Sequence, residues 1–317
     1  MPMLKLAPAC KDYLWGGEKL REKYHIESDC EPLAEAWVLS CHPDGMSRLA
    51  EGEMKGLTLP EAAMKYPGNF FGTRCAEFEE FPMLVKLIDA KRDLSVQVHP
   101  DDEYARREEH QSGKAEMWMV LEAEPGAALY YGFARAVSRD EIEKSLAENT
   151  LIDLLRRVPV QPGDVFYIPP GTVHAIGAGM VIAEIQQNSD TTFRVYDYNR
   201  LGADEKPRQL HLERAAEVMN YAPMHRAADT LPPCPPDGVQ EVLTCEYFRV
   251  RRAEVKTRIS LATDGESFTH LMCVRGEGNI LCGGKVYPFR QGDSYFLPAA
   301  LGEYAVEGDG SLVLSGV

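Results

Sequence analysis

Gln97, His99, Glu116 and His174 are of the residue types that hold a divalent cation, and they lie in short β-rich segments able to aim them at one point. In Ser95-Val-Gln-Val-His-Pro, strand alternation sends Ser95, Gln97 and His99 one way and Leu94, Val96 and Val98 the other. The same alternation in Gly113-Lys-Ala-Glu-Met-Trp puts Lys114, Glu116 and Trp118 on a shared face. His174 follows the turn run Pro169-Pro-Gly-Thr-Val, at the start of a further strand. Amide, imidazole and carboxylate together make a mixed oxygen and nitrogen set suited to a metal such as zinc, with one coordination position left for a substrate.

Strands are the elements that must place these groups. Short runs rich in Val, Ile, Tyr, Phe and Leu (34–40, 82–89, 117–121, 127–132, 164–168, 180–186, 192–198) are separated by Gly, Pro, Asp and Asn. That punctuation predicts an all-β sandwich or barrel. Helical signals are fewer. Ser138-Arg-Asp-Glu141 has capping-box spacing, and Thr150-Leu-Ile-Asp153 offers a second helix start, so a helical insertion is expected over 134–158. Leu212, Ala216 and Met219 recur at helical spacing and predict a short helix over 212–221.

The length of 317 residues fits two domains. A run holding Pro223, Pro232, Pro233, Pro235 and Pro236 cannot lie inside a sheet or helix, and it sets the expected division at 1–225 and 226–317. A weak internal repeat supports this. Gln161-Pro-Gly-Asp-Val-Phe-Tyr-Ile-Pro-Pro matches Arg290-Gln-Gly-Asp-Ser-Tyr-Phe-Leu-Pro-Ala, and Glu303 falls where His174 stands. His270-Leu-Met-Cys-Val lines up with Glu116-Met-Trp-Met-Val. Two related barrels are expected, the second without the metal set.

A net charge of −15 with no basic stripe argues against nucleic acid as a partner. The opening Met1-Pro-Met-Leu-Lys-Leu-Ala-Pro lacks a signal-peptide core, and no run of about 18 apolar residues is present. The expectation is a cytoplasmic enzyme off the membrane, monomeric or a weak homodimer. Its eight scattered cysteines form no Cys-x-x-Cys pair and read as reduced thiols.

The run Gly163-x5-Pro169-x-Gly171-x2-His174 resembles the second motif of the cupin barrels. Together with Leu94-Ser-Val-Gln-Val-His-Pro-Asp, Gly113-Lys-Ala-Glu-Met-Trp and Asn188-Ser-Asp-Thr-Thr-Phe-Arg194, it is similar to class I mannose-6-phosphate isomerases in their short bacterial form. Asp12-Tyr-Leu-Trp15-Gly-Gly and Pro82-Met-Leu-Val-Lys86-Leu-Ile-Asp extend the likeness. The resemblance implies two cupin-like jelly-roll barrels, one zinc ion on Gln97, His99, Glu116 and His174, and interconversion of mannose 6-phosphate and fructose 6-phosphate. It further implies a substrate pocket with Trp15, Lys86, Ser95 and Lys114, and an active-site segment with Glu184, Asp190 and Arg194. This chain departs from the general cupin pattern in having Gln97 where a His is usual, a longer gap before Glu116, and Ala178 in place of an Asn.

Moving a carbonyl between C1 and C2 requires removing a proton beside it, and negative charge then develops on oxygen as an enediol forms. Glu184 and Lys114 are the two candidates for the base. Were 180–198 a strand pair, Glu184, Gln186, Asn188, Asp190, Thr192 and Arg194 would line one face. Arg194 suits a phosphate or an enediolate oxygen, because its guanidinium is permanently charged and binds oxyanions in a fork. Lys86 is the other phosphate partner, unless its head simply reaches water. Two rival readings remain at this point: a cupin oxygenase with iron on His99, Glu116 and His174, and a sugar-phosphate-binding cupin without turnover.

Overall fold

A computed structural model describes residues 1–66, 68–202, 205–225 and 228–317. The expected division between 225 and 226 abuts residues 226 and 227, which lie outside those described. The chain is all-β, in three sheets whose faces are sealed by four apolar cores.

A seven-stranded sheet runs in the order Asp229–Thr230, Asp164–Ile168, Glu116–Ala123, Met180–Gln187, Met83–Ala90, Glu35–Leu39, Ala9–Lys11. A five-stranded sheet runs Phe193–Tyr196, Val96–Val98, His174–Ile176, Ala128–Phe133, Leu155–Pro159. Between them lies the interior of the first barrel, filled by Ile88, Trp118, Phe166, Ile176 and Ile182 among others. Alternate residues of the same strands, Val85, Leu87, Met117, Val165 and Ile185, face the opposite way into a core shared with Phe268, Met272 and Phe296 of the second barrel. Strands covered on both faces explain the nearly continuous apolar runs of the sequence. They also fix the register, since a one-residue slip would exchange the two cores.

The third sheet, of nine strands, builds the second barrel around Leu271, Cys273, Tyr295, Leu297 and Leu312. Sheet membership crosses the expected division. Leu4–Ala7 pairs with Ser294–Leu297 and with Arg48–Leu49, while Asp229–Thr230 joins Asp164–Ile168.

The insertion holds one helix, Arg139–Ala147, with a complete capping box between Ser138 and Glu141. The Thr150 signal yields only a single turn, Leu151–Leu154, with no side-chain cap. Residues 155–158, expected within the helical insertion, belong instead to the strand Leu155–Pro159, because the edge of the five-stranded sheet pairs with them through Leu129 and Val158. The later helix is Leu212–Val218; it buries Ala215 rather than Ala216 and leaves Leu212 exposed.

The repeat also needs a correction of one residue. Glu116 pairs with Ile168, whereas the residue opposite Leu297 in the second barrel is Thr269, so His270 does not stand where Glu116 does. A shift of one flips the face. His270 accordingly lies on the side of Met272 and Phe296, between the barrels, and not inside the second one.

Candidate active site

Alternation delivers the site. On Met83–Ala90, Glu116–Ala123 and Met180–Gln187, the residues sharing a face with Ile88, Trp118 and Ile182 are Lys86, Glu116, Glu184 and Gln186, and these point into the first barrel. The opposite sheet contributes Gln97 and His174, which are register partners on neighbouring strands. Cross-strand pairing then sets a rank of side chains over the barrel floor: Phe166, Trp118, Glu184, Lys86, Trp37.

Two loops complete the placement. Gly171 adopts φ +81°, which a side chain would strain, and its N–H donates to the His99 carbonyl at 2.8 Å. That bond ties the turn before His174 to the end of the His99 segment. Gly113 lies so close to the Asp101–Asp102 backbone that a Cβ would sit 2.5 Å from the Asp102 nitrogen. Asp102 Oδ1 accepts from the Gly113 N–H (2.7 Å) and from Gln187 Nε2 (3.0 Å), and Gln187 Oε1 accepts from the Ala115 N–H (2.8 Å). The segment carrying Lys114 and Glu116 is thus pinned on both sides.

His99, Glu116 and His174 converge, with one potential ligand atom from each lying within 4.8 Å of the others, and all three are buried. His99 Nε2 is 3.2 Å from Glu116 Oε1, and His174 Nε2 is 3.7 Å from Glu116 Oε2. Gln97 Nε2 lies 3.4 Å from His174 Nε2. Each imidazole has its Nδ1 against a backbone carbonyl, Thr191 O for His99 (2.9 Å) and Thr172 O for His174 (2.8 Å). With Nδ1 donating to those carbonyls, as it does in metal-binding histidines, each Nε2 carries its lone pair inward, where Lys114 Nζ lies 3.2 Å from His99 Nε2 and the Glu116 carboxylate stands beside both rings.

The Glu116 carboxylate is the telling group. It is fully buried, yet neither oxygen accepts a hydrogen bond. Its compensation is charge: Lys114 Nζ is 2.6 Å from Oε1, close enough for an ion pair but outside hydrogen-bond geometry. Burial alone would raise this carboxyl, but Lys114, His99 and His174 outweigh it and hold it well below the usual range. Burial and then Lys114 lower His99, and burial and then His99 lower His174 to about 3, so both rings are neutral at ordinary pH. A buried carboxylate without donors, facing two imidazole lone pairs, fits a divalent cation.

Beside the cluster lies a cavity of about 250 Å³, whose lining includes Gln97 and Lys114, the neighbours of His174 and Glu116. The other residues that the resemblance assigns to the site line it: Trp15, Lys86, Ser95, Gln97, Lys114, Glu184, Asp190 and Arg194. Lys86 Nζ lies 3.1 Å from Glu184 Oε1 and 3.9 Å from Glu35 Oε2, and its head is buried rather than in water. Burial works against its charge, but Glu184 and Glu35 outweigh that and keep it firmly protonated. Glu184 Oε2 accepts from Trp118 Nε1 at 2.8 Å. Burial and the nearby Glu116 raise the Glu184 carboxyl against the pull of Lys86.

The even positions of 180–198 do not form one face, because Met180–Gln187 and Phe193–Tyr196 belong to different sheets. Glu184, Asp190, Thr192 and Arg194 reach the cavity; Gln186 and Asn188 do not line it, and Gln186 donates within the barrel to the Gln187 and Ser189 carbonyls. Three polar or aromatic lining residues have no role assigned from the sequence: Tyr13, Glu35 and Arg208. Tyr13 stacks on Trp15 at 5.6 Å, two positions along the chain, a spacing that alternation flags. Glu35 and Arg208 carry no such local signal.

Residues 3–129 match the family model for the type I phosphomannose isomerase catalytic domain, and residues 239–317 match that for the mannose-6-phosphate isomerase cupin domain. The chain is 38% identical to mannose-6-phosphate isomerase ManA of Bacillus subtilis over 97% of its own length and 96% of that protein. It is 33% identical to the mannose-6-phosphate isomerase of Streptococcus mutans, over 95% and 94% respectively. The crystal structure of mannose 6-phosphate isomerase from Bacillus subtilis superposes with a TM-score of 0.89 at 32% identity, covering all of both chains. Sequence, architecture and a buried His-Glu-His cluster beside a cavity lined by cationic side chains agree: this chain is an enzyme of the type I mannose-6-phosphate isomerase family.

Proposed function

We propose that the chain interconverts mannose 6-phosphate and fructose 6-phosphate through an enediol, with one zinc ion held by Gln97, His99, Glu116 and His174. The observation carrying this reading is the buried Glu116 carboxylate, which accepts no hydrogen bond, has only the charge of Lys114 against it, and stands between two Nε2 atoms beside the cavity. A bound zinc supplies a Lewis acid for the oxygen on which charge develops. The remaining chemistry belongs to side chains of this chain. Glu184 is the base that moves the proton between C1 and C2. It lines the cavity, and its raised carboxyl brings it closer to the operating pH. Lys114, paired with Glu116, is a fixed cation and not a base. Lys86 and Trp118 hold the two Glu184 oxygens in place.

Asp190 and Arg194 also line the cavity, and Arg194 serves developing charge or phosphate; Ser95 and Trp15 form wall for the sugar. Residues 1–225 form the catalytic unit in this reading, and 226–317 a barrel without a metal set. Eight unpaired cysteines suit a reducing cytoplasm, and no helix among the described residues is long and apolar enough to cross a membrane. The reading includes a monomer or weak homodimer that needs no second chain to complete its site.

The decisive experiment is a coupled assay on purified protein, with metal analysis before and after chelation. Expected are turnover of mannose 6-phosphate, about one zinc per chain, and loss and recovery of activity as zinc is removed and restored. Full activity in the stripped protein would overturn the metal role; no turnover in the loaded protein would overturn the substrate.

A further inference from the structure

We infer that Gln187 and Asp102 are positioning residues of the metal site: one buried amide, seated on one carboxylate, sets the spacing between the chain segments that carry His99 and Glu116. The inference rests on the proposed function and deepens it. Neither side chain lines the cavity, so both act through other residues.

Strand alternation puts Gln186 inside the first barrel and turns Gln187 to the face it shares with Ile185, where it remains almost fully buried. There Gln187 Oε1 accepts from the Ala115 N–H at 2.8 Å, and its Nε2 donates to Asp102 Oδ1 at 3.0 Å. Its backbone N–H donates to the Ala115 carbonyl at 3.1 Å, so both backbone polar groups of Ala115 end on this one residue. Asp102 Oδ1 takes a second bond from the Gly113 N–H at 2.7 Å, and its Oδ2 lies 3.4 Å from Arg106 Nη2. Gly113 and Ala115 flank Lys114, and Ala115 directly precedes Glu116; Asp102 lies three residues after His99. The amide and the carboxylate therefore join two ligand-bearing segments that no strand pairing joins.

This join matters because the site has little other hold on its carboxylate. Among the described residues neither Glu116 oxygen accepts a hydrogen bond, so its place follows from its backbone and from the charge of Lys114. The ladder fixing that backbone begins at Glu116, opposite Ile168 and Gln186. Residues 113–115 precede it, and their backbone N–H groups go to Asp102, to the Pro100 carbonyl at 3.0 Å and to Gln187. His99 is oriented separately, by the Thr191 carbonyl at its Nδ1. Without the Gln187 bridge each ligand keeps its own segment, but the distance between the segments is no longer set. Polar groups behind metal ligands are worth about 10- to 100-fold in affinity or activity.

The test strips the full chain of metal and titrates it with zinc against a competing chelator, for wild type, Gln187→Met, Asp102→Ala and Asp102→Asn. The zinc-saturated proteins are then assayed for kcat and KM, and the metal-free ones for their denaturant midpoints. In Gln187→Met and Asp102→Ala the zinc Kd should rise by about 10- to 100-fold, and kcat should fall with a smaller change in KM. Asp102→Asn, which keeps an oxygen for Gly113 and Gln187 but loses the charge, should recover most of both losses. A purely structural role would lower the midpoints and leave zinc Kd and kcat at wild-type values, and that result would overturn the inference. So would a loss in Asp102→Asn as large as in Asp102→Ala, since charge and not the bridge would then be at work. Should Gln187→Met not fold, Gln187→Glu, which keeps the acceptor for Ala115 and loses the donor to Asp102, decides by the same constants. If the wild type bound zinc without turning over mannose 6-phosphate, the proposed substrate would fall separately, while the zinc affinities would still decide on Gln187 and Asp102; a wild type that bound no zinc would overturn both.

Discussion

Two buried histidine clusters stand on opposite faces of the same stack of sheets, and their chemistry diverges. Inside the first barrel, His99 and His174 keep one nitrogen on a backbone carbonyl and present the other to a carboxylate that accepts no hydrogen bond. Between the barrels, His270 has both nitrogens engaged, Nε2 with Ser294 Oγ at 2.7 Å and Nδ1 with Ser315 Oγ at 3.2 Å. Ser294 Oγ itself donates to Val38 O at 3.0 Å, so it accepts from His270 Nε2–H, and Ser315 must donate to Nδ1. Burial lowers all three histidines. A shifted histidine is therefore no sign of a metal site by itself. What separates the clusters is satisfaction: both His270 nitrogens and their serine partners are hydrogen-bonded, whereas the Glu116 oxygens accept no hydrogen bond and have only the charge of Lys114 beside them.

The sharpest break in this comparison is Glu116→Ala. With the donorless carboxylate gone, zinc content should fall to background and activity by about a thousandfold or more, the equivalent of several kcal/mol of Lewis-acid assistance. Metal analysis alongside the coupled assay checks it, and a variant that keeps its zinc would mean that the imidazoles and Gln97 suffice without it. The matching change between the barrels, His270→Ala, should do the reverse. Zinc content stays at the wild-type level, while stability drops by about 2–4 kcal/mol through a cavity and two stranded hydroxyls. Denaturant midpoints measure the loss; depleted zinc in the folded His270 variant would show that the clusters are not independent. Ser294→Ala, which removes the donor to Val38 O and one partner of His270, should cost less, about 1–3 kcal/mol. An unchanged midpoint would mean the Val38 carbonyl finds another donor.

Much of the first cluster was legible because period-two alternation is local. Gln97 and His99, or Lys114 and Glu116, share a face whatever the rest of the chain does, and turn chemistry placed His174 at a strand start. The all-β class was legible for the same reason. Long-range register was not. His270 was matched to Glu116 by similarity of short runs, and only the pairing of Thr269 with Leu297 shows the offset. Glu35 belongs to the cavity because the irregular pairing of Glu35–Leu39 with Met83–Ala90 aims it and Trp37 at Lys86, with Trp37 Nε1 donating to Glu35 Oε2 at 2.7 Å. Arg208 reaches it through a fork to Asp197, eleven positions earlier. Neither residue has a periodic signal. Likewise 155–158 read as helix until a sheet edge claimed them.

The smallest effect concerns acid. Burial alone accounts for the lowering of His270 from 6.5 to about 3, with no charged group contributing. In the unfolded chain the same ring takes a proton near pH 6.5, so between these limits the unfolded state binds more protons and stability rises with pH. The contribution is complete above about pH 6.5 and is lost as pH falls below it, with a slope approaching ~1.4 kcal/mol per pH unit once the unfolded ring is mostly charged. Carboxylates elsewhere titrate in the same interval, so the wild-type curve alone does not isolate the ring; the difference between wild type and His270→Gln does. That difference should be constant from pH 8 to 7 and then shrink toward pH 5, because the variant has no proton to gain at this position. Equal losses in both proteins over the acid range would show that His270 accepts a proton without breaking its two serine contacts, and the distinction between a closed network and an open ligand set would then rest on geometry alone.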